Sequence, residues 1–255
     1  MTDPTPAWAQ TTRESAEAWI AAYHRHEFVV DAPFPDEPSL VVGNHGFGGV
    51  FDLNVIAMSR TLGHVTDRPL TYLVHQIAWK MGFGWLVEPL GCLPASAGNA
   101  ATGFDAEHHV VVFPGGDVEA AKPFQRRNEI VFGGRSGFAR LAMERGVPIV
   151  PVVTAGAGES LLVLSDGQGL AARLGMPKWL RVKALPVSLT FPWGLNVGVA
   201  GMAPYLPLPS KLVTAVLPAM RPHPDEDAAA FAERVQQAMQ QRMDDLVADR
   251  RFLLG

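Results

Sequence analysis

Short apolar runs that stop at glycine or proline alternate along this chain with stretches of helical spacing, and that alternation limits what the chain can fold into. Leu40-Val41-Val42 ends at Gly43, Thr71 to Val74 is strand-like, His109 to Phe113 ends at Pro114-Gly115-Gly116, and Val147 to Val153 forms a fourth run. Apolar runs of this length, bounded by turn residues, read as buried strands. Asp52 to about Leu62, Ile77 to Leu86 and Gly137 to Arg145 have the length of helices. Nearer the start, Ala16, Trp19, Ile20 and Tyr23 fall on one face of a helix expected over Thr11 to Glu27. Asp225 to Arg251 reads as a polar amphipathic helix, opened by Pro222, Pro224 and the acidic run Asp225 to Asp227. One or two strands are expected over Leu185 to Ala203, and Pro204 to Pro209 reads as a surface connection. The expected fold is α/β: a single domain with a central, mostly parallel β-sheet flanked by helices and an amphipathic C-terminal helix.

Composition removes several classes of function. Of the 255 residues, 48% are hydrophobic and 18% charged, which suits a packed core and not a disordered chain. A net charge of -4 argues against a general nucleic-acid binder, because neutralising phosphates needs a basic surplus. The one cysteine, Cys92, has no partner for an internal disulfide, which fits a reducing cytoplasm. Met1 to Gln10 lacks the basic start and apolar stretch of a secretory signal, so none is expected. The most apolar stretch, Leu70 to Pro94, is broken by His75, Gln76, Lys80 and Glu88, so no spanning helix is expected. His108 and His109 are adjacent and would point to opposite faces of a strand, so no metal site is expected.

The most informative stretch is Val41-Val42-Gly43-Asn44-His45-Gly46-Phe47-Gly48-Gly49-Val50-Phe51-Asp52. It leaves the carboxyl end of a strand, where α/β sheets carry their sites. The glycines let the backbone turn sharply and let a substrate approach. Asp52 stands where the next helix begins, so its carboxylate can reach back to the His45 imidazole. A histidine with an ordinary pKa near about 6.5 suits removal of a hydroxyl proton at neutral pH. A carboxylate would fix its tautomer and stabilise the imidazolium. No Gly-x-Ser-x-Gly elbow is present, so no covalent serine intermediate is expected. The bland alternative is that Asp52 only caps the helix and His45 is an ordinary polar loop residue.

A second glycine-rich turn follows another strand, in Val111-Val112-Phe113-Pro114-Gly115-Gly116-Asp117-Val118-Glu119. Backbone amides at such a turn can stabilise an anion. Lys122, Arg126, Arg127, Arg135 and Arg140 come after it, and guanidinium forks match phosphate oxygens. The alternatives are a plain tight turn, a solvated basic face and, for Glu119, a first-turn helix acid.

Together the two blocks resemble the glycerolipid acyltransferase superfamily, the lysophospholipid acyltransferase-like proteins. The resemblance runs from about Leu40 to Val153, with weaker echoes to about Leu208. That family's first block is Asn-His-x4-Asp, matched by Asn44 and His45. Its Phe-Pro-Glu-Gly-Thr-Arg block is matched by Phe113, Pro114 and Gly116, and its apolar, proline-containing strand by Val147-Pro148-Ile149-Val150-Pro151-Val152. Six residues, not four, separate His45 from Asp52, and Gly115 stands where the family has glutamate. Leu93-Pro94-Ala95-Ser96 occupies the region of the family's second-block arginine. The Phe-Pro-Gly-Gly form, with Arg135-Ser136-Gly137-Phe138-Ala139-Arg140 after it, is most similar to the diacylglycerol acyltransferase-type branch.

The resemblance implies transfer of a fatty acyl group from acyl-coenzyme A or acyl carrier protein to a lipid hydroxyl. His45 and Asp52 would be catalytic. Asn44, Phe113, Pro114, Gly115, Gly116, Glu119, Arg126, Arg127 and Arg135 would bind substrate. The missing arginines favour a neutral or unusual alcohol over a phosphorylated acceptor. No cofactor beyond the acyl-thioester co-substrate is implied. The expected setting is cytoplasmic, peripheral on the inner face of the cell membrane, with no nucleic acid involved. In these terms residues 1–35 form an N-terminal helical arm, 36–210 the catalytic α/β core and 211–255 a C-terminal helical segment. Arg173, Lys178, Arg181 and Lys183, beside Trp179, would meet anionic headgroups or an acidic carrier protein. Trp79, Phe83, Trp85 and Leu86 would line an acyl tunnel, meet the bilayer or form a core helix, and Trp8, Trp19 and Tyr23 would anchor the first helix. Two other readings stay open: a thioester or ester hydrolase using the same base, and a non-catalytic lipid-binding protein.

Overall fold

The computed structural model describes residues 5–46, 52–76, 79, 82, 84–173, 186–198 and 205–255. The chain opens with helix α1 (Ala7–Tyr23) and strand β1 (Glu27–Val30), then β2 (Leu40–Gly43), α2 (Leu53–Val65) and β3 (Leu70–Val74). A single helical turn, α3 (Gly84–Val87), leads to β4 (Cys92–Pro94), α4 (Ala97–Asp105), β5 (His109–Val112) and the short α5 (Gly116–Ala120). Next come α6 (Gly137–Arg145), β6 (Ile149–Ala155), β7 (Leu162–Ser165) and α7 (Gln168–Arg173). The hairpin β8 (Val187–Thr190) and β9 (Gly194–Val197), strand β10 (Val213–Val216) and the long α8 (Ala228–Val247) complete it.

Seven strands form one sheet in the order β1-β10-β6-β2-β5-β3-β4. From β6 to β4 all neighbours are parallel. β10 runs antiparallel to β6, and β1 pairs parallel to β10. Strand alternation divides the apolar residues between the two faces. Leu40 and Val42 pack toward α4, α6 and α8, with Phe104, Phe138, Phe231, Val235 and Met239 in one cluster. Val41 points the other way, into a cluster with Met58 and Leu62 of α2 and Val111, Val150 and Val152 of the sheet. α1 lies over α2, where Ile20 meets Leu53 and Ala57. This is the α/β, mostly parallel architecture the alternating pattern calls for.

The structure corrects several element assignments. The first helix runs Ala7–Tyr23, not Thr11 to Glu27, because Glu27–Val30 leaves to pair with Val213–Val216 at the sheet edge. Both strands come from segments read as helical, so neither the arm nor the C-terminal segment is purely helical. β4, α4 and β7 were also not anticipated. In the Ile77 to Leu86 stretch, residues 77, 78, 80, 81 and 83 lie outside the described residues, and Trp85 and Leu86 are exposed instead of core. Phe47 to Phe51, and the basic cluster from Lys178 to Lys183, also lie outside them. No helix among the described residues is long and apolar enough to cross a membrane.

The segment after β6 is held by a buried ion pair. Arg250 Nε donates to Glu159 Oε1 at 2.7 Å and its Nη2 to Oε2 at 3.1 Å, while the Leu253 N–H donates to Oε2 at 2.8 Å. Removing one partner strands a buried charge, whereas removing both does not. Arg250→Ala is expected to lower unfolding free energy by about 3–5 kcal/mol. The double change Arg250→Met with Glu159→Leu should cost clearly less, both read by urea denaturation.

Candidate active site

Three neighbouring parallel strands, β5, β2 and β6, end side by side, and their following loops converge. At the end of β2 the backbone must leave the sheet, and Asn44 makes that exit rigid. Its side-chain amide donates to the Thr154 carbonyl at 3.1 Å, and its Oδ1 accepts from the Thr154 N–H at 2.8 Å. The side chain so continues the β2–β6 ladder after the strand has ended. Asn54 Nδ2 donates to the Asn44 carbonyl at 2.8 Å and ties α2 to the same point. Only 3% of Asn44 is exposed and both ends of its amide are engaged by the backbone, so it anchors His45 at the end of β2.

His45 comes next. Its Nδ1 lies 2.5 Å from Asp52 Oδ2, bridging the longer loop between them. Asp52 Oδ1 accepts the Asn54 N–H at 2.9 Å, so one carboxylate oxygen caps α2 and the other holds the imidazole. An ionised carboxylate can only accept, so Nδ1 carries the proton and Nε2 keeps its lone pair. The Phe113 ring, from the end of β5, packs against the imidazole with centroids 4.9 Å apart. The His45 side chain keeps 21% exposure, enough for a substrate atom to reach it. Burial opposes charging of the ring, but the hydrogen bond and charge of Asp52, with the Glu119 charge behind it, outweigh burial and leave the His45 pKa raised. His24, His26 and His109 shift the other way, His26 and His109 down to about 4, with burial the leading cause in each.

The second block lies against the first. Glu119, on α5, is 1% exposed; its Oε2 accepts the His45 N–H at 3.0 Å and its Oε1 the Val131 N–H at 3.0 Å. Lys122 Nζ stands 3.7 Å from Oε1 and donates to the Glu129 carbonyl. Burial raises the Glu119 pKa against the pull of Lys122, His45 and the two N–H groups, and lowers that of Lys122 against the pull of Glu119. A Cβ on Gly115 would lie 2.2 Å from Glu119 Oε2, so this position must be glycine while the carboxylate is there.

The three arginines have different surroundings. Arg126 pairs with Glu129 at 2.7 Å, both about half exposed. Arg135 Nη1 donates to the Pro114 and Gly115 carbonyls, each at 2.6 Å, strapping the turn. Arg127 lies over the Phe124 ring, 4.2 Å from its centroid. Its Nε is buried without a hydrogen-bond partner among the described residues. Arg127 lines a cavity together with His45, Glu119, Lys122, Leu161 and Val163. Arg126 and Arg135 are absent from that lining. The wall formed by Leu161 and Val163 was not anticipated: both are ordinary apolar residues that carry no local signal of a site. In the sequence Lys122 is one of a run of basic residues, with nothing to set it apart. Among the described residues no group of histidine, cysteine or acidic side chains is arranged to hold a metal ion.

A model of the diacylglycerol acyltransferase family matches residues 5–246. The chain is 24% identical over 189 residues to the "DGAT1/2-independent enzyme synthesizing storage lipids" of Gallus gallus, covering 72% of this chain and 54% of that protein. It is 28% identical over 130 residues to "Phytyl ester synthase 1, chloroplastic" of Arabidopsis thaliana, covering 49% of this chain and 18% of that one. The chain so spans about half of the first relative and less than a fifth of the second. Among solved structures it is similar to the 1-acyl-sn-glycerophosphate (LPA) acyltransferase PlsC from Thermotoga maritima, with a TM-score of 0.56 at 14% identity, covering 97% of this chain and 85% of that one. At that identity the likeness speaks for the fold alone. With the family model spanning nearly the whole chain, the resemblance carried by the two glycine-rich blocks is borne out, and the chain belongs to the diacylglycerol acyltransferase family of lipid acyltransferases.

Proposed function

We propose that the protein moves a fatty acyl group from a thioester, acyl-coenzyme A or acylated carrier protein, onto the hydroxyl of a neutral lipid-like alcohol at a membrane surface, with His45 as general base. The observation that carries this reading is the 2.5 Å contact between His45 Nδ1 and Asp52 Oδ2 where the central parallel strands end. It leaves Nε2 as the proton acceptor. As Nε2 takes the hydroxyl proton, the alkoxide oxygen attacks the thioester carbonyl carbon and the carbonyl oxygen becomes an oxyanion. Arg127 and Lys122 are cationic residues of the cavity lining beside His45, and positive charge there suits that oxyanion. Collapse of the intermediate breaks the carbon–sulfur bond. The leaving thiolate takes the proton from the imidazolium, so ester and free thiol form and His45 returns to its neutral state.

Two of the three arginines expected to bind substrate are engaged elsewhere, Arg126 with Glu129 and Arg135 with the turn carbonyls. That supports a neutral acceptor over a phosphorylated one. The longer loop between His45 and Asp52 and the altered Phe-Pro-Gly-Gly block are what favour a non-catalytic reading, and the direct contact between the two side chains answers the first of them.

His45→Ala is expected to cut acyl transfer by about 10²–10⁴-fold. Its circular dichroism and thermal melt should match those of the parent chain. The assay is thiol release from acyl-coenzyme A with and without a panel of monoacylglycerol, diacylglycerol, long-chain alcohols and lysophosphatidate. Full activity in the variant, or thiol release that needs no alcohol, contradicts the proposal.

The direction of the His45 shift sets the pH profile. Base catalysis needs the neutral ring, and the ring's pKa lies above the ordinary histidine value. Rate should therefore rise with pH through a limb centred above about 6.5. Asp52→Asn removes the leading influence that opposes burial, so its limb should move to lower pH. Its plateau should fall by on the order of 10²-fold or more, because the tautomer is no longer fixed. An unmoved limb measured on kcat/KM would show that the titrating group is not the Asp52-held His45.

A further inference from the structure

The small sheet, in the order β7-β8-β9, has its polarity reversed. Residues directly opposite one another on paired strands share a face. The register sets Leu162 opposite Leu189, Leu189 opposite Leu195 and Val187 opposite Val197. This face points outward, and Leu195 on it is 65% exposed. The inward face carries Val163, Ser188 and Thr190, all buried, and Asn196, whose amide donates to the Thr190 hydroxyl. An antiparallel sheet with one wet face ordinarily turns its polar side chains out and its apolar ones in. Phe191, 66% exposed, and Trp193 extend the apolar surface to the turn between β8 and β9, and Leu206 bridges to Phe191 from the following segment.

Charge is distributed to match. Residues 187–198 contain no charged side chain. From 160 to 210 the sequence has one acidic residue, Asp166, against Arg173, Lys178, Arg181 and Lys183, the last three outside the described residues. The chain as a whole is net -4, so this basic excess is local. A large apolar surface with exposed aromatic rings, in a stretch of net positive charge, matches the chemistry of a lipid interface with anionic headgroups. The opposite face of the same sheet reaches the site, because Val163 of β7 lines the cavity it shares with His45. A bilayer on the outward face would lie one sheet's thickness from that cavity.

We infer that the outward face of β7, β8 and β9, centred on Leu189, Leu195 and Val197, is the docking surface by which this protein sits on an anionic lipid bilayer. The inference rests on the membrane-surface part of the function proposed above and identifies the face that makes the contact. Its test is flotation of the full chain with vesicles of phosphatidylcholine and phosphatidylglycerol in equal amounts, beside vesicles of phosphatidylcholine alone. The parent chain should float with the anionic vesicles and several-fold less with the neutral ones. The triple variant Leu189→Thr, Leu195→Thr, Val197→Thr keeps strand-forming side chains and should bind at least about tenfold more weakly. The single variant Leu195→Asp, at an exposed position, should also lose binding several-fold, and it guards against misfolding of the triple variant. A parent chain that does not float, equal flotation with both vesicles, or variants that float like the parent would overturn the inference. So would a parent chain that fails to float and sediments as a dimer which the triple variant converts to monomer, since the face would then belong to a second copy. Flotation involves no acyl transfer, so a protein that floats but transfers nothing counts against the proposed activity and leaves the docking face standing.

Discussion

The Glu119 carboxylate is almost wholly out of water, and a buried charge is costly unless it is paired and hydrogen-bonded. Its partners come from three parts of the chain: the His45 N–H after β2, the Val131 N–H after α5, and the Lys122 ammonium. Satisfying this one group therefore fixes the backbone at His45, where the first block leaves β2, against the second block. The His45 backbone is held from one side by Glu119, and its ring from the other by Asp52. The same carboxylate accounts for a departure from the family pattern. Residues four apart on a helix face one another, so Glu119 lies over Gly115, close enough that no side chain could stand there. Where the related block carries glutamate at the turn itself, here a carboxylate from one helical turn later fills the space beside that position.

Much of this was legible in the sequence because it is local. The runs at Leu40, Thr71 and His109 became strands since most of their side chains are apolar and the runs are bounded by turn residues, and the helix over Gly137–Arg145 falls between Ser136 and the left-handed Gly146. β1 and β10 were not legible, since what makes Glu27–Val30 a strand is its pairing with Val213–Val216 across most of the chain. No window around residue 27 contains that information. The polar residues show the same divide. The sequence offered Asp52 two roles as alternatives, and with two oxygens the carboxylate performs both. Asn44 and Arg135 were read as ligand-facing, yet each is occupied by backbone groups that only the fold brings near. Residue type announces what a side chain can bond, and the tertiary neighbours decide what it does bond.

The histidines show why the site is where it is. His24 Nδ1 lies 2.9 Å from the Ser210 carbonyl, His26 Nε2 2.9 Å from the Thr214 hydroxyl, and His109 Nε2 3.1 Å from the Thr66 hydroxyl. These partners carry no charge to set against the cost of desolvating an imidazolium, and all three rings shift toward the neutral form. His45 is also largely buried, but it faces a carboxylate, so its imidazolium is stabilised and its shift is upward. A ring that must accept a proton and then give it up to a leaving group needs that balance: partly buried, yet open to a substrate and paired well enough to carry the charge. The sheet supplies the setting, because the ends of β2, β5 and β6 are where the backbone leaves its ladder and where glycine, carboxylate and cation can be packed together. The remaining asymmetry lies in the arginines. Arg126 and Arg135 are neutralised or occupied by the protein itself, which leaves Arg127 as the arginine of the cavity lining, beside Lys122. One arginine and a lysine already paired with Glu119 suit a transient oxyanion better than the permanent double charge of a phosphate, and on that ground the neutral acceptor and the His45 mechanism support one another.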